Sequence, residues 1–311
     1  MDDGNGRHGN RRLARSLPLL TTPTRRRLLR RISGDLRVIN LDVHGHNIMV
    51  DGVSTFFIDV GTGKPIVLIH GGGAGADSWG NWKDVIPALG DGFRVIAVDM
   101  LGFGHTGKPN GDFVYSQQAR IRHMAAFLKA LDLDAPLVVG NSMGGATALG
   151  IAVEHPELIG KLILMGSAGL NTQVHEDLKP VIHYDFTRDG MVRLVRALTT
   201  DAFVIDDALI DYRFSLATDP DTRRAYAAAM AWIREQNGLF YPEAYIRKNR
   251  VPTLVVNGKN DKVVPVSNAY KFLDLIEQSS GYIMPYCGHW AMIEHPVAFA
   301  RITRDFALTA A

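Results

Sequence analysis

Apolar residues along this chain follow two rhythms. Short unbroken runs at 65–69, 93–98, 137–140, 161–165 and 252–257 have the length and continuity of strands buried on both faces of a parallel sheet. Longer stretches at 117–131, 143–154 and 266–276 repeat apolar residues three and four apart, as helices burying one face do. Segments 47–50 and 55–60 alternate around Asp51-Gly52, which predicts an antiparallel hairpin. A helix is also expected over 81–89, a last strand over 282–285 and a last helix over 292–306.

Strand and helix alternate as far as residue 169, and the alternation resumes near 252. No strand pattern appears in the interval, where helical patterns at 190–198, 206–217 and 222–236 dominate. The expected fold class is therefore α/β, a mostly parallel sheet flanked by helices, with a helical lid inserted. Residues 37–169 and 249–311 would form the two parts of the core, and 170–248 the lid.

Composition narrows the function classes. The chain has 311 residues, 46% hydrophobic and 21% charged, enough for one large globular α/β domain. The net charge of +2 is uneven: ten arginines fall within residues 1–37, against Asp2, Asp3 and Asp35. The remainder is mildly acidic, so no nucleic-acid surface is expected on it. Residues 1–36 are read as a basic, disordered extension. Arg11-Arg12 hints at a twin-arginine or transit signal, but Arg15 and Pro18 break the apolar run and no small-residue cleavage site follows. No window reaches the ~18 apolar residues of a spanning helix. The single cysteine, Cys287, excludes an internal disulfide framework and a multi-cysteine metal site. A cytoplasmic protein without metal or other cofactor is the expectation.

The chemistry centres on Gly140-Asn141-Ser142-Met143-Gly144. A G-x-S-x-G between a buried strand and a helix is a nucleophile elbow, in which the tight turn lifts the serine above the sheet edge. A serine hydroxyl attacks only when a base takes its proton and a third group orients that base. On such a sheet the partners follow in the order acid, then histidine, each on a loop after a strand. The turn after 253–256 ends in Asp261, and the one after 282–285 carries His289, so the predicted triad is Ser142, Asp261 and His289. The competing readings are Asp261 as a cap for the helix beginning near Val266, and His295 as the base. Cys287 is read as a buried thiol rather than a nucleophile.

His70-Gly71-Gly72-Gly73 follows the strand 66–69 and can present a backbone N–H to an oxyanion. Gly72 and Met143 are the predicted donors, and His70 is read as a residue that fixes the loop by hydrogen bonding. The same loop continues as Gly71-Gly72-Gly73-Ala74-Gly75-Ala76, a G-x-G-x-x-A, and Asp99 stands 23 residues after Ala76. That spacing fits a dinucleotide-binding turn and its ribose acid, the competing oxidoreductase reading. It leaves the ordered serine, acid and histidine unexplained.

These motifs resemble those of the α/β-hydrolase superfamily over nearly all of residues 40–310. Within it they are most similar to the meta-cleavage product hydrolases, and most of all to the carbazole-pathway type. The resemblance rests on His70 to Ala76 with Asn81, on Gly140 to Thr147, and on Gly288 to Pro296. The strings GGGAGA, MLGFG, MGSAGL and DKVVP add to it. Ala74 stands where many relatives carry proline, and the arginine-rich head has no counterpart. The resemblance implies hydrolysis of the C–C bond of a 2-hydroxy-6-oxohexa-2,4-dienoate, giving 2-hydroxypenta-2,4-dienoate and a carboxylic acid, by a homodimer or larger homo-oligomer. It further implies that Gly73, Asn81, Asn141, Arg213 and Trp290 hold the small-molecule substrate. A guanidinium can grip the carboxylate bidentately, and amide and indole N–H groups can hold the 2-hydroxy/oxo end. Competing readings place Arg213 on the surface, paired with an aspartate, and Trp290 in the core. A carboxylesterase with the same triad is the alternative enzyme, and a ligand-binding receptor on this fold the alternative class.

Overall fold

The computed structural model describes residues 39–309 apart from 171 and 174. The arginine-rich extension read at 1–36 lies outside the described residues. Gly45–Val50 (β1) and Val53–Gly61 (β2) form the hairpin. It turns through Asp51 and Gly52 at φ 47° and 79°, the two positive angles that a tight two-residue hairpin turn requires. Lys64–Ile69 (β3), Phe93–Val98 (β4), Leu137–Asn141 (β5), Lys161–Met165 (β6), Thr253–Gly258 (β7) and Ser279–Met284 (β8) complete an eight-stranded sheet of order β1-β2-β4-β3-β5-β6-β7-β8. β2 pairs antiparallel with β1 and β4, and every other pairing is parallel. The apolar runs are buried strands because helices cover both faces of a parallel sheet.

β8 begins three residues earlier than its apolar pattern suggested. Its first half, Ser279-Ser280-Gly281, lies on the sheet edge with Ser280 and Gly281 exposed, where no hydrophobic signal is needed. The expected helix at 81–89 is two short ones, Ser78–Trp82 and Ile86–Gly90. Pro87 lacks the N–H that a continuous helix would use. The last helix is likewise divided into Ala291–Glu294 and Pro296–Leu308, with His295 at φ −138° between them, because the residue before proline avoids the helical region.

Between β6 and β7 the chain is helical, principally Arg188–Leu198, Asp207–Thr218 and Pro220–Glu235. Thr187, Asp206 and Asp219 accept from the N–H groups of Gly190, Leu209 and Thr222, closing each first turn. These helices and the sheet belong to one compact unit. Among the described residues no helix is long and apolar enough to cross a membrane.

Candidate active site

At the end of β5, Ser142 adopts φ 54°, ψ −117°, and Met143–Glu154 starts immediately as a helix. The turn is possible because its flanks have no side chains. A Cβ at Gly140 would lie 2.4 Å from the Gly144 carbonyl oxygen, and one at Gly144 would lie 2.4 Å from that of His70. The Ser142 N–H donates to Met165 O at 3.1 Å. Ser142 is half-buried and borders a cavity between the sheet edge and the inserted helices.

Asp261 and His289 come together from the loops after β7 and β8. Asp261 Oδ1 accepts from the N–H groups of Val263 and Val264 at 3.0 and 2.8 Å, which leaves Oδ2 for His289 Nδ1 at 2.7 Å. The two side chains are 0% and 2% exposed. The His289 N–H donates to Leu198 O at 3.1 Å, tying this loop to the inserted helices. His289 borders the same cavity as Ser142, and with Nδ1 engaged by Asp261 its Nε2 is the nitrogen free to serve as base. Asp261 does not cap the following helix, which starts behind Pro265. His295 donates from Nε2 to Tyr286 O at 2.8 Å and lies outside the cavity. Cys287 is fully buried, and burial pushes its thiol well up, so it carries no thiolate.

The glycine loop after β3 completes the floor. Gly71, Gly72 and Gly73 border the cavity with Met143. Gly72 is so close to Met143 that a Cβ there would lie 2.3 Å from its Cε. Asp99 does not wait for a ribose: it is sealed from solvent and accepts from the N–H groups of Ser78 and His105, both at 2.6 Å. Nor does the loop cradle a phosphate, since a Cβ at Gly75 (φ +66°) would sit 2.0 Å from Arg213 O. That glycine is the seat of the helix Asp207–Thr218.

Arg213, on that helix, is 0% exposed and borders the cavity. Its Nη2 donates to Ala74 O at 3.0 Å, its Nη1 to Asn81 Oδ1 at 3.3 Å, and its guanidinium lies 4.6 Å from the centre of the Trp290 ring. The surface-pair reading fails, because Asp211 takes Arg188 instead, at 2.8 Å. Arg213 Nε and Asn81 Nδ2 are buried without a partner among the described residues, a costly arrangement unless something else receives those donors. Asn141 is also in the wall, but its Nδ2 is spent on Met165 O at 3.1 Å. Trp290 is 2% exposed and belongs to both the core and the cavity wall.

The family model for the alpha/beta hydrolase fold matches residues 64–296. The chain is 62% identical over 256 residues to 2-hydroxy-6-oxo-6-(2'-aminophenyl)hexa-2,4-dienoic acid hydrolase of Metapseudomonas resinovorans, covering 82% of this chain and 88% of that one. This chain belongs to the α/β hydrolases, among the meta-cleavage product hydrolases. It is 36% identical to 2-hydroxymuconate semialdehyde hydrolase of Pseudomonas sp. (strain CF600), covering 84% of this chain and 93% of that one. A crystal structure of a serine hydrolase involved in carbazole degradation superimposes with a TM-score of 0.78 at 58% identity, covering 85% and 98% of the two chains. The meta-cleavage product hydrolase of Pseudomonas fluorescens IP01 gives 0.79 at 32%, covering 86% and 98%.

The hydrolase cavity also has apolar walls that the sequence did not disclose. Val181, Ile182, Met230, Ile233 and Leu239 of the inserted segment line it. Met191 and Trp232 do not reach it, and Phe240 is 48% exposed. Met230 and Ile233 share a helix face, a spacing that marks burial but not what is buried against.

His70 is the loop's internal brace. Its Nδ1–H donates to Gly71 O at 2.7 Å and its Nε2 accepts the Met100 N–H at 3.0 Å, a pattern only the neutral ring can make. Burial lowers its pKa from 6.5 to about 4. The unfolded chain therefore binds a proton that the hydrolase refuses, and the stability due to neutral His70 is full above pH 6.5 and lost as the pH falls towards 4. Asp77, raised by burial to about 6, works in the opposite direction, so the comparison is with His70→Gln. In urea unfolding the excess stability of the wild type over that variant should shrink by roughly 3 kcal/mol between pH 7 and pH 4. A constant difference would show that the ring is not held neutral.

Proposed function

We propose that this enzyme hydrolyses the C–C bond of aryl-substituted 2-hydroxy-6-oxohexa-2,4-dienoates to 2-hydroxypenta-2,4-dienoate and an aromatic carboxylic acid. One observation carries the reading. Two buried donors without a partner among the described residues, Arg213 Nε and Asn81 Nδ2, belong to residues that line the same cavity as Ser142 and His289, together with apolar side chains of the inserted segment. A planar substrate with a carboxylate at one end and an aryl ketone at the other matches that mixture of polar and apolar wall. The name of the Metapseudomonas resinovorans relative describes such a compound.

In this mechanism the helices at 170–248 act as a lid. Arg213 and Asn81 hold the carboxylate while Asn141 and Trp290 line the dienol portion, with Gly73 giving close approach. Protonation of C5 turns the dienol into a ketone, so that C5 can leave with the bonding electrons. His289, oriented by Asp261, takes the proton of the Ser142 hydroxyl or of a water as its oxygen attacks C6. The oxyanion is held by the N–H groups of Gly72 and Met143. Cleavage of C5–C6 releases the dienoate, and water supplies the hydroxyl of the acid. A cytoplasmic homodimer or larger homo-oligomer belongs to the same reading, supported by the family resemblance and the lone buried cysteine.

A panel of ring-fission products followed by loss of the yellow dienoate absorbance tests it. The expected order of kcat/KM is aryl dienoate, then alkyl dienoate, then p-nitrophenyl acetate. A preference for the acetate ester over every dienoate would make the protein a carboxylesterase.

A further inference from the structure

Arg213 is sealed from solvent, yet among the described residues its guanidinium hydrogen-bonds only to a backbone carbonyl and an amide oxygen, with an indole face beside it. Among the described residues no carboxylate pairs with it directly. A buried cation without a counter-charge is costly, so which acid acts on it matters. The acid whose charge acts on Arg213 is Asp77, 1% exposed and not itself part of the cavity wall.

Asp77 is engaged on both oxygens. Oδ1 accepts the Gly80 N–H at 2.7 Å, capping the short helix Ser78–Trp82 that carries Asn81. Oδ2 accepts the Tyr212 hydroxyl at 2.5 Å, reaching the helix that carries Arg213. One carboxylate thus joins the two elements that supply the cavity's unpaired donors. The joint is closely packed. A Cβ at Gly80 would lie 2.8 Å from both Asp77 Oδ1 and the Tyr212 ring, and Gly75 seats the Arg213 carbonyl.

We propose that Asp77 and Tyr212 are positioning residues for recognition of a carboxylate-bearing substrate. Their hydrogen bond locks the Arg213 helix to the Asn81 helix and keeps the guanidinium directed into the cavity. Both Asp77 oxygens are thus engaged, Oδ1 by Gly80 and Oδ2 by Tyr212. The protein's own acid then lends its field to the guanidinium without using the donors that the substrate needs. The inference rests on the reading of Arg213 as the carboxylate-binding group.

Tyr212→Phe and Asp77→Asn test it, assayed as full chains on an aryl dienoate and on uncharged p-nitrophenyl acetate, with Arg213→Met measured alongside. Both positioning variants should raise KM for the dienoate by about ten-fold, while kcat/KM for the ester falls by no more than about three-fold. Equal losses on the two substrates, or an unchanged dienoate KM, would overturn the positioning role, because a purely structural contact does not distinguish a charged substrate from a neutral one. If Tyr212→Phe does not fold, Asp77→Asn, which keeps the capping oxygen, decides on the same criterion. Should Arg213→Met raise the dienoate KM while both positioning variants leave it alone, the reading of Arg213 stands and this inference falls. A dienoate KM unmoved by Arg213→Met removes both.

Discussion

Replacing Ser142 by alanine is expected to lower dienoate turnover by about 10⁴-fold or more while leaving the protein folded. The size follows from the chemistry. Without the hydroxyl, the base has no serine proton to take, and what remains is the binding and polarisation supplied by the cavity wall. The fold should tolerate the change because the side chain makes no capping hydrogen bond and the strained φ of 54° is the same burden for alanine as for serine. Single-turnover loss of the dienoate absorbance, beside a thermal melt, checks both halves. Cleavage within ten-fold of wild type would remove Ser142 from the reaction.

Asp261→Asn should cost about 10⁴-fold in kcat, nearly as much, for a subtler reason. The carboxylate faces His289 Nδ1 at 2.7 Å and fixes the proton on that nitrogen. An asparagine can keep accepting from Val263 and Val264 through its oxygen, which directs its NH₂ at the imidazole. The ring would then accept at Nδ1 and carry its proton on Nε2, where it cannot take another. Such a variant should bind substrate with near-normal KM and barely turn it over. Loss of affinity with kcat preserved would mean that the aspartate shapes the pocket rather than the tautomer.

Much of this was legible along the chain because burial leaves a periodic trace. β4 and the helices Gln117–Leu131 and Met143–Glu154 lie where the pattern places them. The loops bearing Ser142 and Asp261 were legible for a related reason, since each follows a buried, mostly apolar strand, and the loop bearing His289 follows the apolar end of β8. The errors fall where that trace is weak. The polar first half of β8 sits on an edge, and the divided helices at 78–90 and 291–308 are broken by prolines within runs that otherwise look continuous. The glycine loop fitted a second chemistry by spacing, one that already left the ordered serine, acid and histidine unexplained. The packing of Gly75 against Arg213 O and the sealed hydrogen bonds of Asp99 add the structural ground against the dinucleotide reading.

Hydrophobic period and turn chemistry, which act over a few residues, were enough to specify the sheet, the elbow and the order of its partners. Which side chains share a wall is a different kind of fact. Arg213 meets Asn81 across 132 positions of chain, and Tyr212 meets Asp77 across 135. Asp211, two residues from Arg213, turns away to Arg188. Those partnerships come from how the inserted helices dock on the sheet edge, a long-range packing outcome with no local signature, and the tertiary structure alone decided them.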